Sequence, residues 1–222
     1  PEVGDNLTEE LAYRLRQQEL VSEFGLFALR SRTMADVYQE ATRIGASGMN
    51  VDLCKLLRYI PEEKMLLLVA GVGWKDGVVG HARLGADLES PAGYAFQSGQ
   101  PLVSNHLSEE SRFRTPPLLR DHGVTRAINV PVRDGGRPFG VLEVDSPDTA
   151  RFTMADTAFL QGIANIISRA VFNIFHRGGA YSSTTKIGLF NTFHAAALHN
   201  FCAILRQQQI LQRQLQVLGQ LH

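Results

Sequence analysis

The sequence predicts a domain of the α+β class. Three observations carry that reading: helical apolar stripes near both ends of the chain, several strand-like runs between them, and one stretch where strand, turn and helix signals follow in close order. That stretch, Val124–Leu160, reads VTRAINVPVRDGGRPFGVLEVDSPDTARFTMADTAFL. Two apolar runs, Arg126–Arg133 and Pro138–Ser146, flank Asp134-Gly135-Gly136-Arg137. A Gly-Gly pair supplies the positive φ angles of a tight turn, so the runs form a hairpin. Thr153 then stands three residues before Asp156, ahead of an apolar run. That spacing marks a helix start, with hydroxyl and carboxylate meeting the first free amides.

The other elements follow in chain order. Asn6 precedes Glu9 by three, and Leu7, Leu11, Leu15, Leu20, Phe24 and Phe27 recur at helical spacing. A long helix is expected over Asn6–Leu29, its stripe changing face near Gln17-Gln18. The first half then pairs with a partner helix while the second half packs on the domain; a single surface helix is the alternative. Thr33 with Asp36 opens a second helix, lined by Val37, Ala41 and Ile44 and ending at Ala46–Gly48. Val51–Ile60 and Lys64–Trp74 read as strands joined at Pro61-Glu62-Glu63; Leu66–Val69 is a continuous apolar run, as in a strand covered on both faces. Gly80–Glu89 is a loop or short irregular strand. Ser90-Pro91 caps a short helix over Pro91–Ser98, Pro101–Asn105 is a short strand, and polar His106–Gly123 is a lid with one helical turn after Pro117. Leu160, Ile163, Ile167, Val171 and Ile174 line a helix over Thr153–Phe175.

Composition narrows the function classes. Lysine plus arginine equals aspartate plus glutamate, 22 each among 222 residues, which lacks the basic stripe of a nucleic-acid binder. A hydrophobic content of 44% supports a full core. Two cysteines, Cys54 and Cys202, imply no disulfide framework and fit a reducing cytoplasm. No run has the length of a membrane span. The start at Pro1, without methionine, reads as a piece of a longer or processed protein.

If the hairpin is symmetric about Gly135-Gly136, Arg126 faces Asp145, Ile128 faces Glu143 and Val130 faces Val141. One side of the sheet then carries Arg126, Ile128, Val130, Glu143 and Asp145, and the other Leu142 and Val144. Two carboxylates among branched aliphatics are either satisfied by Arg126 or face a polar ligand.

The order "VPV", glycine turn, "GVLEVDSP", "RFTMAD" resembles the GAF family of small-molecule sensor domains, over about Leu20–Phe172. The resemblance implies a central antiparallel sheet, helices from both chain ends on one face and a ligand pocket on the other, bordered by the short helix at Pro91. It divides the chain into a helical extension (1–19), a GAF-like sensor domain (20–176) and a linker with a helical tail (177–222). RGGAYSSTTK is the linker. Ile204, Leu211 and Leu218 recur at seven in the tail, a short coiled-coil pattern.

The expected ligand-binding residues are Trp74, Tyr94, Phe96, Phe113, Arg126, Glu143 and Asp145: aromatics as a stacking wall or plain packing, carboxylates as ligand contacts or a structural pair. The ligand expected is polar or cationic, and no cofactor is assigned. GAF-type free methionine sulfoxide reductases carry a similar "GVLDIDSP" strand but need cysteines in the pocket-bordering helix and lid, where this chain has Ala92 and, approximately, Arg120. Phe152 and Asp156 match the cyclic-nucleotide-binding signature, but Ser146, Pro147 and Thr157 depart from it. There is no Cys-His pair for a bilin; His81 or His106 offers haem only a lone loop ligand; no cluster has zinc spacing; His194 and His199 lack the acidic neighbour of a phosphoacceptor. The reading is therefore a non-catalytic sensory module, cytoplasmic and homodimeric through its terminal helices, that relays binding to a signalling output such as a histidine kinase. The alternatives are a sulfoxide reductase or a structural dimerisation domain.

Overall fold

A computed structural model describes residues 2–134, 136–147 and 152–177. The linker and coiled-coil expectations, with Cys202, His194 and His199, lie outside these residues. The first helix, α1 (Glu2–Arg30), is followed by α2 (Met34–Met49), β1 (Leu53–Ile60), β2 (Met65–Val72), β3 (Arg83–Gly85), α3 (Pro91–Ser98), β4 (Leu102–Ser104), α4 (Pro117–Asp121), β5 (Arg126–Asp134), β6 (Arg137–Ser146) and α5 (Met154–Arg177). The strands form a six-stranded sheet in the order β3-β2-β1-β6-β5-β4, with every pairing antiparallel. The long hairpin β5–β6 and the hairpin β1–β2 thus meet along β1–β6, placing those two strands at the centre.

Local chemistry sets the helix ends. Thr33 accepts the amide of Asp36 as the N-cap of α2, and Asn50 closes that helix in the left-handed region. Ser90 accepts the Gly93 amide at the start of α3. At α5, Asp156 accepts from both the amide and hydroxyl of Thr153, and its other oxygen takes Arg14 Nη1 at 2.6 Å. Only this carboxylate half of the capping box forms, the Asp156 amide donating to the Thr153 carbonyl instead, and it also ties the two end helices together.

One face of the sheet packs against α1, α2 and α5. Leu20, Phe24, Val37, Ala41, Ile44, Phe159, Leu160, Ile163, Ile167 and Val171 meet Cys54, Leu56, Ile128, Val130, Leu142 and Val144 from the sheet. Gln17, where the stripe of α1 turns, is buried and donates to the Gly48 carbonyl at 3.0 Å. The second half of α1 is not wholly internal: Phe24 is buried, whereas Phe27 lies at the rim.

The register of the β5–β6 hairpin corrects the symmetric expectation. Asp134 pairs with Arg137 and Arg133 with Pro138, as symmetry about the turn requires. A bulge at Val132/Arg133 then passes over Phe139, and from Val132↔Gly140 every pair is displaced by one. Because side chains alternate, one inserted residue exchanges faces across the pair. Arg126 faces Ser146, not Asp145; Ile128 faces Val144, Asn129 faces Glu143, and Ala127 faces Asp145. Ile128 and Val130 join Leu142 and Val144 on the helix face, while Glu143 and Asp145 turn to the other.

Candidate functional site

The second face of the sheet is covered by α3, α4 and the segments between them. Toward β2, Leu57, Leu66, Leu68 and Val141 pack against Ala92, Ala95, Phe96 and Phe113. Toward the other end, Leu53 and Ala127 pack with Leu107, Leu119 and Val124, and with Trp74. Between these apolar clusters lies a polar layer from the central strands. Lys55 of β1 and Glu143 and Asp145 of β6 are buried to 0–1% exposure, and Asn129 of β5 is fully buried beside them.

Lys55 Nζ lies 2.5 Å from Asp145 Oδ2 and 3.0 Å from Glu143 Oε1. The Glu143 contact is an ion pair by distance without hydrogen-bond geometry, which leaves both Glu143 oxygens without a hydrogen-bond partner; Asp145 Oδ1 and both polar atoms of the Asn129 amide share that state. Such groups carry a desolvation penalty until a donor or acceptor meets them. Two carboxylates facing one cation do not both ionise easily in a dry site. Burial first, and then the charge of Asp145, push the Glu143 carboxyl up to about 8. Burial alone would lower the Lys55 ammonium, but Asp145 and Glu143 outweigh it and hold it above the ordinary lysine value. Near neutrality the layer thus holds Lys55 as a cation and Glu143 in its protonated form.

Trp74 completes the enclosure. Its ring centroid lies 4.6 Å from Lys55 Nζ, a cation–π contact in a desolvated setting. The indole N–H donates to the Cys54 carbonyl at 2.9 Å, and the His122 ring meets it edge-on at 4.8 Å. Gly71 and Gly73 make room for this seat. A Cβ at Gly71 would come within 2.7 Å of Trp74 Cδ1; Gly73 has φ +77°, and a Cβ there would meet the Asp52 carbonyl oxygen at 2.2 Å.

The expected site residues divide by position. Glu143 and Asp145 stand at the centre of the layer, with Trp74 over Lys55. Phe96, Tyr94 and Phe113 lie in the apolar cluster beside it: Phe96 stacks on Tyr59 at 4.6 Å and Tyr94 meets Phe113 at 5.5 Å. Arg126 is corrected to the opposite face. Its guanidinium sits 4.4 Å above the Phe152 ring and donates to Ser146 Oγ. The cation paired with Asp145 is Lys55, which sequence reasoning missed along with Asn129. A lysine inside the apolar run Leu-Cys-Lys-Leu-Leu of an expected strand is the available signal. Two surface depressions lie elsewhere, one at His106 and one between α1 and α2.

A family model described as GAF domain matches residues 31–171, well over half of the chain. The chain belongs to the GAF domain family. Solved GAF structures share its fold at low identity. The GAF domain of a phosphoenolpyruvate-protein phosphotransferase from Coxiella burnetii superposes with a TM-score of 0.67 at 14% identity, covering 75% of this chain and 98% of that one. Its Acinetobacter counterpart gives 0.63 at 21%, covering 74% and 98%. The free methionine-R-sulfoxide reductase of Neisseria meningitidis, solved with its substrate, gives 0.63 at 16%, covering 73% and 91%. At these identities the likeness concerns the fold. The comparison with curated proteins found no match. In this GAF domain Ala92 lies in α3 and Arg120 in α4. Cys54, the one cysteine among the described residues, is buried on the helix face with its thiol pushed up chiefly by burial. No group of three or more metal-ligating side chains occurs among the described residues, and none of their helices is long and apolar enough to cross a membrane.

Proposed function

We propose that this GAF domain is a non-catalytic sensory module that binds a polar small molecule at the layer beneath α3 and α4. The observation that carries the reading is the concentration of unmet hydrogen-bonding capacity there: Asn129, Glu143 and Asp145, all buried, leave five polar atoms without a hydrogen-bond partner. A purely structural sheet face would fill that space with aliphatic side chains. Tyr94, Phe96 and Phe113 then bound the apolar part of the ligand, and α3 with the segment before α4 moves to admit it. Arg126, on the other face, has no direct part.

The relay follows from the strands. Glu143 and Asp145 alternate with Leu142 and Val144, and Lys55 lies between Cys54 and Leu56; these four apolar neighbours all touch the helix-face core. Displacement of β1 or β6 by a ligand therefore reaches α2 and α5 directly, and α1 through them. In this reading the domain works in the cytoplasm as a homodimer and passes its state to an output such as a histidine kinase. The reductase alternative lacks support, because Cys54 faces away from the layer and its thiol is disfavoured as a nucleophile.

Native mass spectrometry of the full chain as purified tests the ligand. The expected result is a small added mass under native conditions that disappears on denaturation and is missing from Asn129→Leu. A native mass equal to that of the polypeptide, with no melting shift from small polar metabolites, would instead leave a structural module.

A further inference from the structure

We propose that Lys55 is a built-in ligand: Glu143, Asp145, Asn129 and the face of Trp74 make a recognition site for a primary ammonium, which this chain fills with its own side chain. The inference rests on the reading of this layer as the binding site and adds the chemical class that the site accepts. Its warrant is geometric. An ammonium is recognised by carboxylate oxygens at hydrogen-bonding distance and by an aromatic face that tolerates its charge. Lys55 Nζ has both, with Asp145 Oδ2 at 2.5 Å, Glu143 Oε1 at 3.0 Å and the Trp74 centroid at 4.6 Å.

Two further observations separate this from an ordinary buried ion pair. First, the surroundings offer more than the lysine uses. Asn129, fully buried and directly opposite Glu143 in the strand register, leaves both polar atoms unpartnered, and Asp145 Oδ1 does the same. A structural strut has no need of these atoms, and apolar replacements of buried pairs are often as stable. Second, the aromatic wall is held independently of the lysine. Trp74 is fixed through Cys54 and His122, and His122 is in turn placed by the Leu118 carbonyl and the Lys75 amide. Removing the Lys55 side chain leaves a preorganised site lined by two carboxyl groups, an amide and an indole. A free primary amine and Lys55 therefore compete for one position, and an amine that wins expels Lys55 from beneath Trp74, next to the Lys75–His122 contact with α4.

The test uses the full chain carrying Lys55→Ala, which deletes a segment equivalent to n-propylammonium. Trp74 is the chain's single tryptophan, so its fluorescence reports on this site apart from overall stability. Titration of Lys55→Ala with n-propylammonium chloride is expected to give a saturable change in tryptophan emission and to raise the melting temperature by several degrees. Sodium chloride and tetramethylammonium chloride, which lack N–H donors, give neither effect. Wild type does not respond, and Lys55→Ala combined with Asp145→Asn loses the response. If Lys55→Ala folds only when refolded in n-propylammonium, the inference is supported in the same way. A variant that is folded but indifferent to n-propylammonium, one that responds equally to all three salts, or one that fails to fold in any of them would overturn it. Failure here is distinct from failure of the sensory reading, which is judged on the mass of the wild-type protein.

Discussion

Glu143 shows how one side chain can be visible in a sequence while its partner is not. Two acidic residues in a strand of branched aliphatics stand out, and both lie in the polar layer. The partner was assigned by symmetric register to Arg126, and the bulge at Phe139 moved that residue to the other face. No local signal announces which of two facing residues a bulge will skip, although Pro138, which has no N–H to give the ladder, marks a place where pairing is weak. Lys55 comes from a strand more than eighty positions away, so only the tertiary β1–β6 pairing brings it to Asp145. The protonation of Glu143 has a measurable consequence. Its folded value, about 8, lies above the 4.5 of an exposed glutamate. The unfolded chain releases this proton first, so the contribution to stability is complete below about 4.5 and is lost as pH rises toward 8. The melting temperature of wild type should therefore fall between pH 5 and pH 8. Glu143→Gln keeps the shape and a polar end without the titration. Its melting temperature should change less over that range, and at pH 8 it should be the more stable by roughly 1–3 kcal/mol. Parallel slopes for the two proteins would show that Glu143 is ionised in the folded state throughout.

At the scale of elements the sequence was most legible where caps and periodicity agree. α3 begins after Ser90 and α5 after Thr153, as their capping residues indicate. α1 starts four residues before its expected start and ends one residue past its expected end, and the irregular segment at Gly80 contains the three-residue β3, short enough that pairing with β2 rather than intrinsic preference decides it. The cap of α3 serves two contacts at once. Ser90 Oγ accepts from Gly93 N–H at 3.0 Å and donates to the Gly85 carbonyl at 2.7 Å, tying α3 to β3. Ser90→Ala should cost about 1 kcal/mol, within the usual range for a lost N-cap, read as a lower urea midpoint at unchanged slope. A second test concerns the contact between α2 and α5. A Cβ placed on Gly48 would lie 2.2 Å from Phe159 Cζ, and Phe159 is buried in the core. Gly48→Ala should destabilise by about 1–3 kcal/mol, the range for overpacking, despite the better helix propensity of alanine. Equal or higher stability would mean that the ring moves and the two helices are loosely packed.

For the whole molecule, the sequence indicated which helices share a face of the sheet but not how fully the other face would be closed, since closure depends on how loops fold back. The homodimer proposed above belongs to this scale and rests on α1. The core-facing line of that helix runs through Tyr13, Gln17, Leu20 and Phe24, with Gln17, Leu20 and Phe24 buried. At about 100° per residue, Leu11, Leu15, Leu26 and Leu29 fall within about 60° of one another on the opposite side. Leu26 and Leu29 are 56% and 57% exposed, and Phe27 beside them is 37% exposed. Leu26 and Phe27 line a groove of about 820 Å³ with Glu23, Arg30, Arg32 and Asp36, where α1 meets the start of α2. A single exposed leucine is ordinary, but an apolar line along a helix, rimmed by both signs of charge, is the pattern of a surface that pairs with a second helix. The second α1 of a homodimer supplies one of the same length and pattern. Leu26→Glu with Leu29→Glu should convert the dimer to monomer in sedimentation equilibrium. The circular dichroism spectrum should stay unchanged, because neither side chain belongs to the core. A wild-type protein that sediments as a monomer at tens of micromolar would remove the dimer altogether. A dimer that survives the double substitution would place its contact off this line.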